Sequence, residues 1–238
     1  MTFRKARAGE ALSCSATTDM PNLRHEVVHV ETPTHGRVLI VETAESAAGL
    51  IVALHGYGQS AADAIADLRV IPGLDRWRIV SPQALHRFYT RDHQKVVASW
   101  MTREDRELAI ADNVAYVDAA IERAGRGAPL VYAGFSQGAS MAYRAARLGR
   151  HAAAGVLALG GDIPPEIRTQ SASAGARPWP AVLIGAGVRD RWYTERLDDD
   201  LAFLAARGIA HEVVRFDGGH EWTAEFGAAA ARWLNGLS

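Results

Sequence analysis

The chain has 238 residues, 48% of them hydrophobic and 22% charged, with Lys+Arg 26 against Asp+Glu 27 and a formal net charge of -1. That balance excludes the basic footprint of a nucleic-acid binder, and the length suits one α/β domain with a large buried core. A single cysteine, Cys14, cannot close a disulfide within the chain, so nothing points to an oxidising compartment.

In chain order, residues 1–21 read as a poorly structured leader, and residues 22–238 as a single domain. Arg4, Lys5 and Arg7 are not followed by an apolar stretch, so no signal peptide is expected. No window approaches the length of a membrane-spanning helix, and the reading is a cytoplasmic protein with no membrane insertion. Residues 25–31 alternate polar and apolar, and residues 37–42 pair with them through the turn at 33–36, predicting an N-terminal antiparallel hairpin. Residues 50–54 are continuously apolar, as in a strand buried on both faces. Residues 78–80 form a short strand ending at Ser81-Pro82, followed by a loop that holds His86, Tyr89, Arg91 and His93.

A long helix is expected from about Thr102, where Thr102-Arg-Glu-Asp105 resembles a capping box, with Ile110, Val114, Val117 and Ile121 as its apolar stripe. Strands follow at 129–133, 155–159 and 181–184. A helix begins near Thr194 with Leu197, Leu201 and Leu204 on one face, and residues 211–216 alternate as a last strand. The final helix carries Trp222, Phe226 and Trp233. An antiparallel hairpin leading into repeated β-α units predicts a mostly parallel central sheet with helices on both faces.

Between the strand at 129–133 and an alanine-rich helix lies Gly134-Phe135-Ser136-Gln137-Gly138, a G-x-S-x-G sequence. A serine on such a tight strand-to-helix turn is held out of the sheet, and the glycines let helix and strand approach closely. A serine nucleophile needs a histidine base, an acid to orient it and donors for the oxyanion. Of the downstream histidines, His151 and His211 precede strands, on the wrong sheet edge. His220 follows one, in Phe216-Asp-Gly-Gly-His220, and is the candidate base. Asp190 and Asp162 both follow strands; Asp190 is favoured as the acid because it sits on the penultimate strand, and Asp217 reads as a turn residue. The oxyanion donors are assigned to the N–H groups of Gln137 and of Tyr57, in His55-Gly56-Tyr57-Gly58.

Residues 56–61 also fit the dinucleotide fingerprint G-x-G-x-x-A, but the next strand ends without the acid that would hold a ribose. No metal-ligand spacing stands out, and no cofactor is expected. Trp100, Met101 and Trp192 are candidates for walls of a substrate groove.

Taken together, Leu54-His55-Gly56-Tyr57-Gly58, Gly134 to Gly138, Gly187-Val-Arg-Asp190 and Gly218-Gly-His220 resemble the phospholipase/carboxylesterase family of α/β-hydrolases, which includes acyl-protein thioesterases. The resemblance runs from about Leu50 to the C-terminus. It implies an α/β-hydrolase fold with Ser136 as nucleophile, His220 as base, Asp190 as acid, and Tyr57 and Gln137 as the oxyanion hole. The chain departs from the family pattern at Tyr193-Thr194, often Val-Pro, and at Tyr57, often aliphatic. The interval between Leu159 and Ala181 is too short for a large cap domain, so an open groove is expected.

The function expected is a serine hydrolase acting on small-molecule carboxylic esters of short or medium chain through an acyl-enzyme. Acyl-protein thioesterase or lysophospholipase activity, peptide cleavage, and a non-catalytic ligand-binding protein on the same fold are the alternatives. The sequence leaves the oligomeric state open, a homodimer among the options.

Overall fold

The structure, a computed structural model, describes residues 26–43, 46–125, 127–170 and 177–237. The chain divides into two units between Thr34 and His35. Within the first, residues 26–34 are exposed and carry no regular element; the leader assigned to 1–21 lies outside the described residues.

The second unit is built on a seven-stranded sheet. Its elements are β1 (Arg37–Val41), β2 (Leu50–Leu54), α1 (Ala61–Leu68), β3 (Arg78–Gln83), β4 (His86–Tyr89), β5 (Val96–Ser99), α2 (Arg106–Ala124), β6 (Leu130–Phe135), α3 (Gln137–Leu148), β7 (Gly155–Leu159), α4 (Pro165–Arg168), β8 (Ala181–Gly187), α5 (Thr194–Ala206), β9 (His211–Phe216) and α6 (Ala224–Asn235). The sheet order is β1-β3-β2-β6-β7-β8-β9, parallel except for β1.

The antiparallel strand pair near the N-terminal end is present, with a different partner from the one expected. Arg37–Val41 pairs with β3, Arg37 opposite Gln83, whereas residues 26–31 form no strand. The physical reason is length: β3 continues through Ser81 and Pro82 to Gln83, presenting a full ladder to β1. Pro82 lacks an N–H, and it lies beyond the β2–β3 ladder, which ends at Val52 opposite Val80.

The apolar runs behave as their composition requires. Along β2, Leu50, Val52 and Leu54 face α2, α3 and α5, while Ile51 and Ala53 face α1 and α6, because side chains alternate across a strand. Both faces are covered, which is why the run is continuously apolar. The α2 stripe Ile110, Val114, Val117 and Ile121 is buried as predicted. The helix begins four residues later than expected, however. Thr102 Oγ1 accepts from Glu104 N at 3.2 Å instead of capping, and Asp105 takes φ 48° just before Arg106.

The chain leaves β2 for β3 on one side, then crosses to β6 on the other. This reversal opens a crevice at the carboxyl ends of β2 and β6, the place where open α/β sheets bind ligands. Among the described residues no helix is long and apolar enough to cross a membrane.

Candidate active site

Five loops converge on that crevice, each leaving the carboxyl end of a parallel strand. They begin with His55 after β2, Ser136 after β6, Gly160 after β7, Val188 after β8 and Asp217 after β9. A cavity of about 590 Å³ lies among them, lined in part by Tyr57, Phe135, Ser136, Gln137, Gly161, Asp162, Trp192 and His220.

Ser136 sits at the turn from β6 into α3 with φ 54° and ψ -120°, a conformation costly for a side chain. It persists because its surroundings over-determine it. Ser136 N donates to Leu159 O at 2.8 Å, and Ala139 N donates to Ser136 O at 2.9 Å. The flanking glycines are required by contact: a Cβ on Gly134 would lie 2.1 Å from Gly138 O, and one on Gly138 would lie 2.0 Å from Leu54 O. The elbow is thus clamped against β2, the strand that feeds the His55–Gly58 turn.

His220 Nδ1 lies 2.7 Å from Asp190 Oδ2. Against a carboxylate this contact assigns the proton to Nδ1 and leaves Nε2 as the basic nitrogen. Asp190 is 2% exposed, and its other oxygen accepts from Trp192 N at 2.8 Å and Tyr193 N at 3.3 Å. The Phe135 ring packs on the imidazole with centroids 4.6 Å apart. The histidine loop is tied to the aspartate loop through Arg189 N donating to Gly218 O at 2.9 Å.

The two assigned oxyanion donors are available. Gln137 opens α3, and the first N–H groups of a helix have no acceptor within it. In the other turn, Gly56 N donates to Gln59 Oε1 at 2.7 Å and Gly58 N to Ala98 O at 3.0 Å. Between them, Tyr57 N–H has no partner among the described residues. An accumulated helix dipole also makes the start of α3 favourable for negative charge.

A family model described as phospholipase/carboxylesterase matches residues 35–186. The chain belongs to that family. Solved structures with the same fold include esterase PE8, at 22% identity and TM-score 0.66, covering 86% of this chain and 100% of that one. The carboxylesterase from Mesorhizobium loti is 18% identical with TM-score 0.68, covering 84% of this chain and 95% of that one. Acyl-protein thioesterase 2 from Zea mays is 18% identical with TM-score 0.64, covering 85% and 99% of the two chains. Among curated proteins, none matches the sequence. Family membership makes the chain a hydrolase of the carboxylesterase type.

The other candidate acids have different partners. Asp217 is exposed and pairs with Arg189, while Asp162 accepts from Ser140 Oγ and faces Arg196. His151, before β7, lies near Asp118 O at 3.3 Å, and His211, the first residue of β9, has its Nδ1 2.7 Å from Ile209 O, so both stand at the amino ends of their strands. Of the three groove candidates, Trp192 lines the cavity and is 78% exposed. Trp100 and Met101 do not line it; both are buried. The reason is that Trp100 packs beneath the His55–Gly58 turn, donating from Nε1 to His55 O at 2.8 Å and stacking on the His55 ring at 5.1 Å.

Several positioning residues went unread. His55 Nε2 accepts from Ala84 N at 3.1 Å and its Nδ1 reaches Gly56 O at 2.8 Å, so the ring braces the turn from within. Burial pushes its pKa down, which keeps it neutral. The Gln137 amide is pinned by the two residues that follow β5: Trp100 N donates to its Oε1 at 2.9 Å, and its Nε2 donates to Met101 O at 3.0 Å. The segment holding His86, Tyr89, Arg91 and His93 is no simple loop, because β4 and β5 pair as an antiparallel hairpin. Its second strand buttresses the turn after β2, with Ala98 N donating to Gln59 O at 2.9 Å.

Gly160 and Gly161 leave room for the His220 ring and the Ser136 backbone. A Cβ on Gly160 would come within 3.0 Å of the His220 ring, and one on Gly161 within 2.2 Å of Ser136 O. Behind the acid, the fully buried Asp200 accepts from Tyr193 Oη at 2.8 Å, from Ile163 N at 3.1 Å and from Arg168. Burial pushes its carboxyl up to about 6 against those donors. Asp200 thereby fastens the loops after β7 and β8 to α5.

Proposed function

We propose that the chain hydrolyses carboxylic esters of short or medium chain through an acyl-enzyme on Ser136. The observation that carries this reading is the pairing of His220 Nδ1 with buried Asp190 at 2.7 Å, beside the cavity that Ser136 lines. In the acylation step Ser136 Oγ attacks the ester carbonyl while His220 Nε2 takes its proton. The carbonyl oxygen gains charge and receives hydrogen bonds from the Tyr57 and Gln137 N–H groups. The imidazolium, stabilised by Asp190, then protonates the departing alkoxide. A water molecule deprotonated by the same nitrogen releases the acid and restores Ser136.

Thioesters and lysophospholipids would pass through the same intermediate, and one similar structure is an acyl-protein thioesterase. The charged pair Asp162–Arg196 on the cavity wall speaks for substrates with a short arm there, since an alkyl chain laid over it would desolvate both charges.

A shared acyl-enzyme makes a distinct kinetic prediction. With hydroxylamine competing against water, the ratio of hydroxamate to free acid is the same for p-nitrophenyl butyrate and ethyl butyrate, because both leave the same butyryl-Ser136. A ratio that depends on the leaving group contradicts the covalent step.

A further inference from the structure

Beyond the reacting groups, one wall of the cavity carries recognition chemistry that ester hydrolysis does not need. It is formed by Ser140 of α3, Asp162 after β7, Trp192 after β8 and Arg196 in the first turn of α5. Two helices and two loops thus bring an anion, a cation and an exposed indole to the same space as Ser136.

The bonding around this wall is unequal. Ser140 Oγ donates to Asp162 O at 2.9 Å and to its Oδ1 at 3.2 Å, which fixes the carboxylate. Arg196 Nη1 reaches Asp162 Oδ2 at only 3.5 Å, and among the described residues this is the one hydrogen bond of its guanidinium. A charge-assisted pair normally closes to about 2.7–2.9 Å, so this contact is loose enough to be shared or exchanged. Arg196 presents a rigid fork of five N–H donors, and most of them remain uncommitted. The aspartate accepts at 3.2 Å from Ser140 and at 3.5 Å from Arg196, and the arginine gives only the longer of these two bonds. The uncommitted donors of the Arg196 guanidinium suit a planar oxyanion.

Trp192 adds the second half of the recognition. Its side chain is 78% exposed while lining the same cavity, so a short apolar segment would find a large surface to cover there. From these placements we infer that Asp162, Trp192 and Arg196 form a subsite for an ester arm consisting of a short apolar spacer ended by a carboxylate. The Arg196 fork binds the carboxylate, the indole covers the spacer, and Asp162 orients the guanidinium while opposing anions that approach it directly. The substrate class is the half-ester of a short dicarboxylic acid, or an equally short ester with the carboxylate on its alcohol side. The inference rests on the esterase reading for the word substrate, but the subsite itself is a binding claim.

The test uses ketones, which cannot be hydrolysed. Binding of 5-oxohexanoate and of neutral 2-heptanone to the wild-type protein is measured by NMR titration. The expected result is that 5-oxohexanoate binds more tightly. Arg196→Met should reduce that preference by about 10- to 100-fold, the range for a hydrogen bond to a charged group. Asp162→Asn, which keeps an acceptor for Ser140 but removes the competing charge, should increase it severalfold. General disturbance of the wall would not move the two variants in opposite directions. An unchanged preference in Arg196→Met, a loss of preference in Asp162→Asn, or tighter binding of 2-heptanone to the wild type would each overturn the subsite. Because no turnover is involved, failure of the Ser136 reading would leave these ratios where they are, and the two can be judged apart.

Discussion

Ser136→Ala lowers kcat/KM for p-nitrophenyl butyrate by roughly 10⁵- to 10⁶-fold, the loss expected when the nucleophile of a cooperating set is removed. The size follows from the division of labour at the site. Without Oγ there is no atom for His220 to deprotonate, and the base and its carboxylate become idle together. What remains is the pair of backbone donors at Tyr57 and Gln137 and the binding surface, worth roughly 10³- to 10⁴-fold over the reaction in water. The backbone of the elbow does not depend on the hydroxyl. It is held by Ser136 N to Leu159 O and by the contacts of Gly134 and Gly138, all of which alanine preserves. Thermal unfolding of the variant should therefore stay close to that of the wild type. Activity within tenfold of wild type, with the fold intact, would remove Ser136 from the reaction.

Gly138→Ala is expected to damage both stability and catalysis although it adds a single methyl group away from the cavity. Its Cβ would lie 2.0 Å from Leu54 O and 2.6 Å from His55 O, both backbone atoms of the segment that leads into the oxyanion turn. Neither can move far, because β2 is paired on both sides and His55 is bonded to Ala84 N and stacked on Trp100. The helix must shift instead. Overpacking of this kind costs about 1–3 kcal/mol and sometimes more, and a contact with rigid backbone belongs at the upper end. Moving α3 off β2 also separates the Gln137 N–H from the Tyr57 N–H. Loss of one oxyanion donor typically lowers kcat by about 10²- to 10³-fold. The predicted signature is a depressed kcat together with a melting temperature lowered by several degrees. Wild-type kcat in a stably folded variant would mean that the two N–H groups do not act as a pair.

Much of this site was legible because the groups that do chemistry sit immediately after apolar runs. Residues 50–54, 129–133, 155–159 and 181–184 are recognisable as strands buried on both faces, and parallel strands place everything that follows them on one edge. That rule alone separates His220 from His151 and His211. It could not separate Asp190 from Asp162, since both follow strands; only the tertiary distance from Asp190 to the imidazole distinguishes them. The partner of β1 was illegible for a different reason. Strand pairing depends on which ladder is longer, and β3 hides three of its residues in Ser81-Pro82-Gln83, which look like a turn. The hairpin of β4 and β5 was missed because its first strand, His86-Arg87-Phe88-Tyr89, is mostly exposed and lacks an apolar run.

Trp100 and Met101 illustrate a general limit: an aromatic near a site in sequence can wall the cavity or support it from beneath, and residue type does not decide which. Gly160-Gly161 did carry a signal. Two glycines directly after a buried strand indicate close approach of another segment, and here the segments are the His220 ring and the Ser136 backbone.

The most direct measurement of the central claim is to treat the folded protein with a fluorophosphonate and locate the adduct by mass spectrometry. Such reagents phosphonylate a serine only where a base activates it and an oxyanion site receives the phosphoryl oxygen. A single adduct is expected on the peptide containing Ser136, formed rapidly in the wild type and greatly slowed in His220→Ala. An adduct elsewhere, or folded wild-type protein that remains unlabelled, would contradict it.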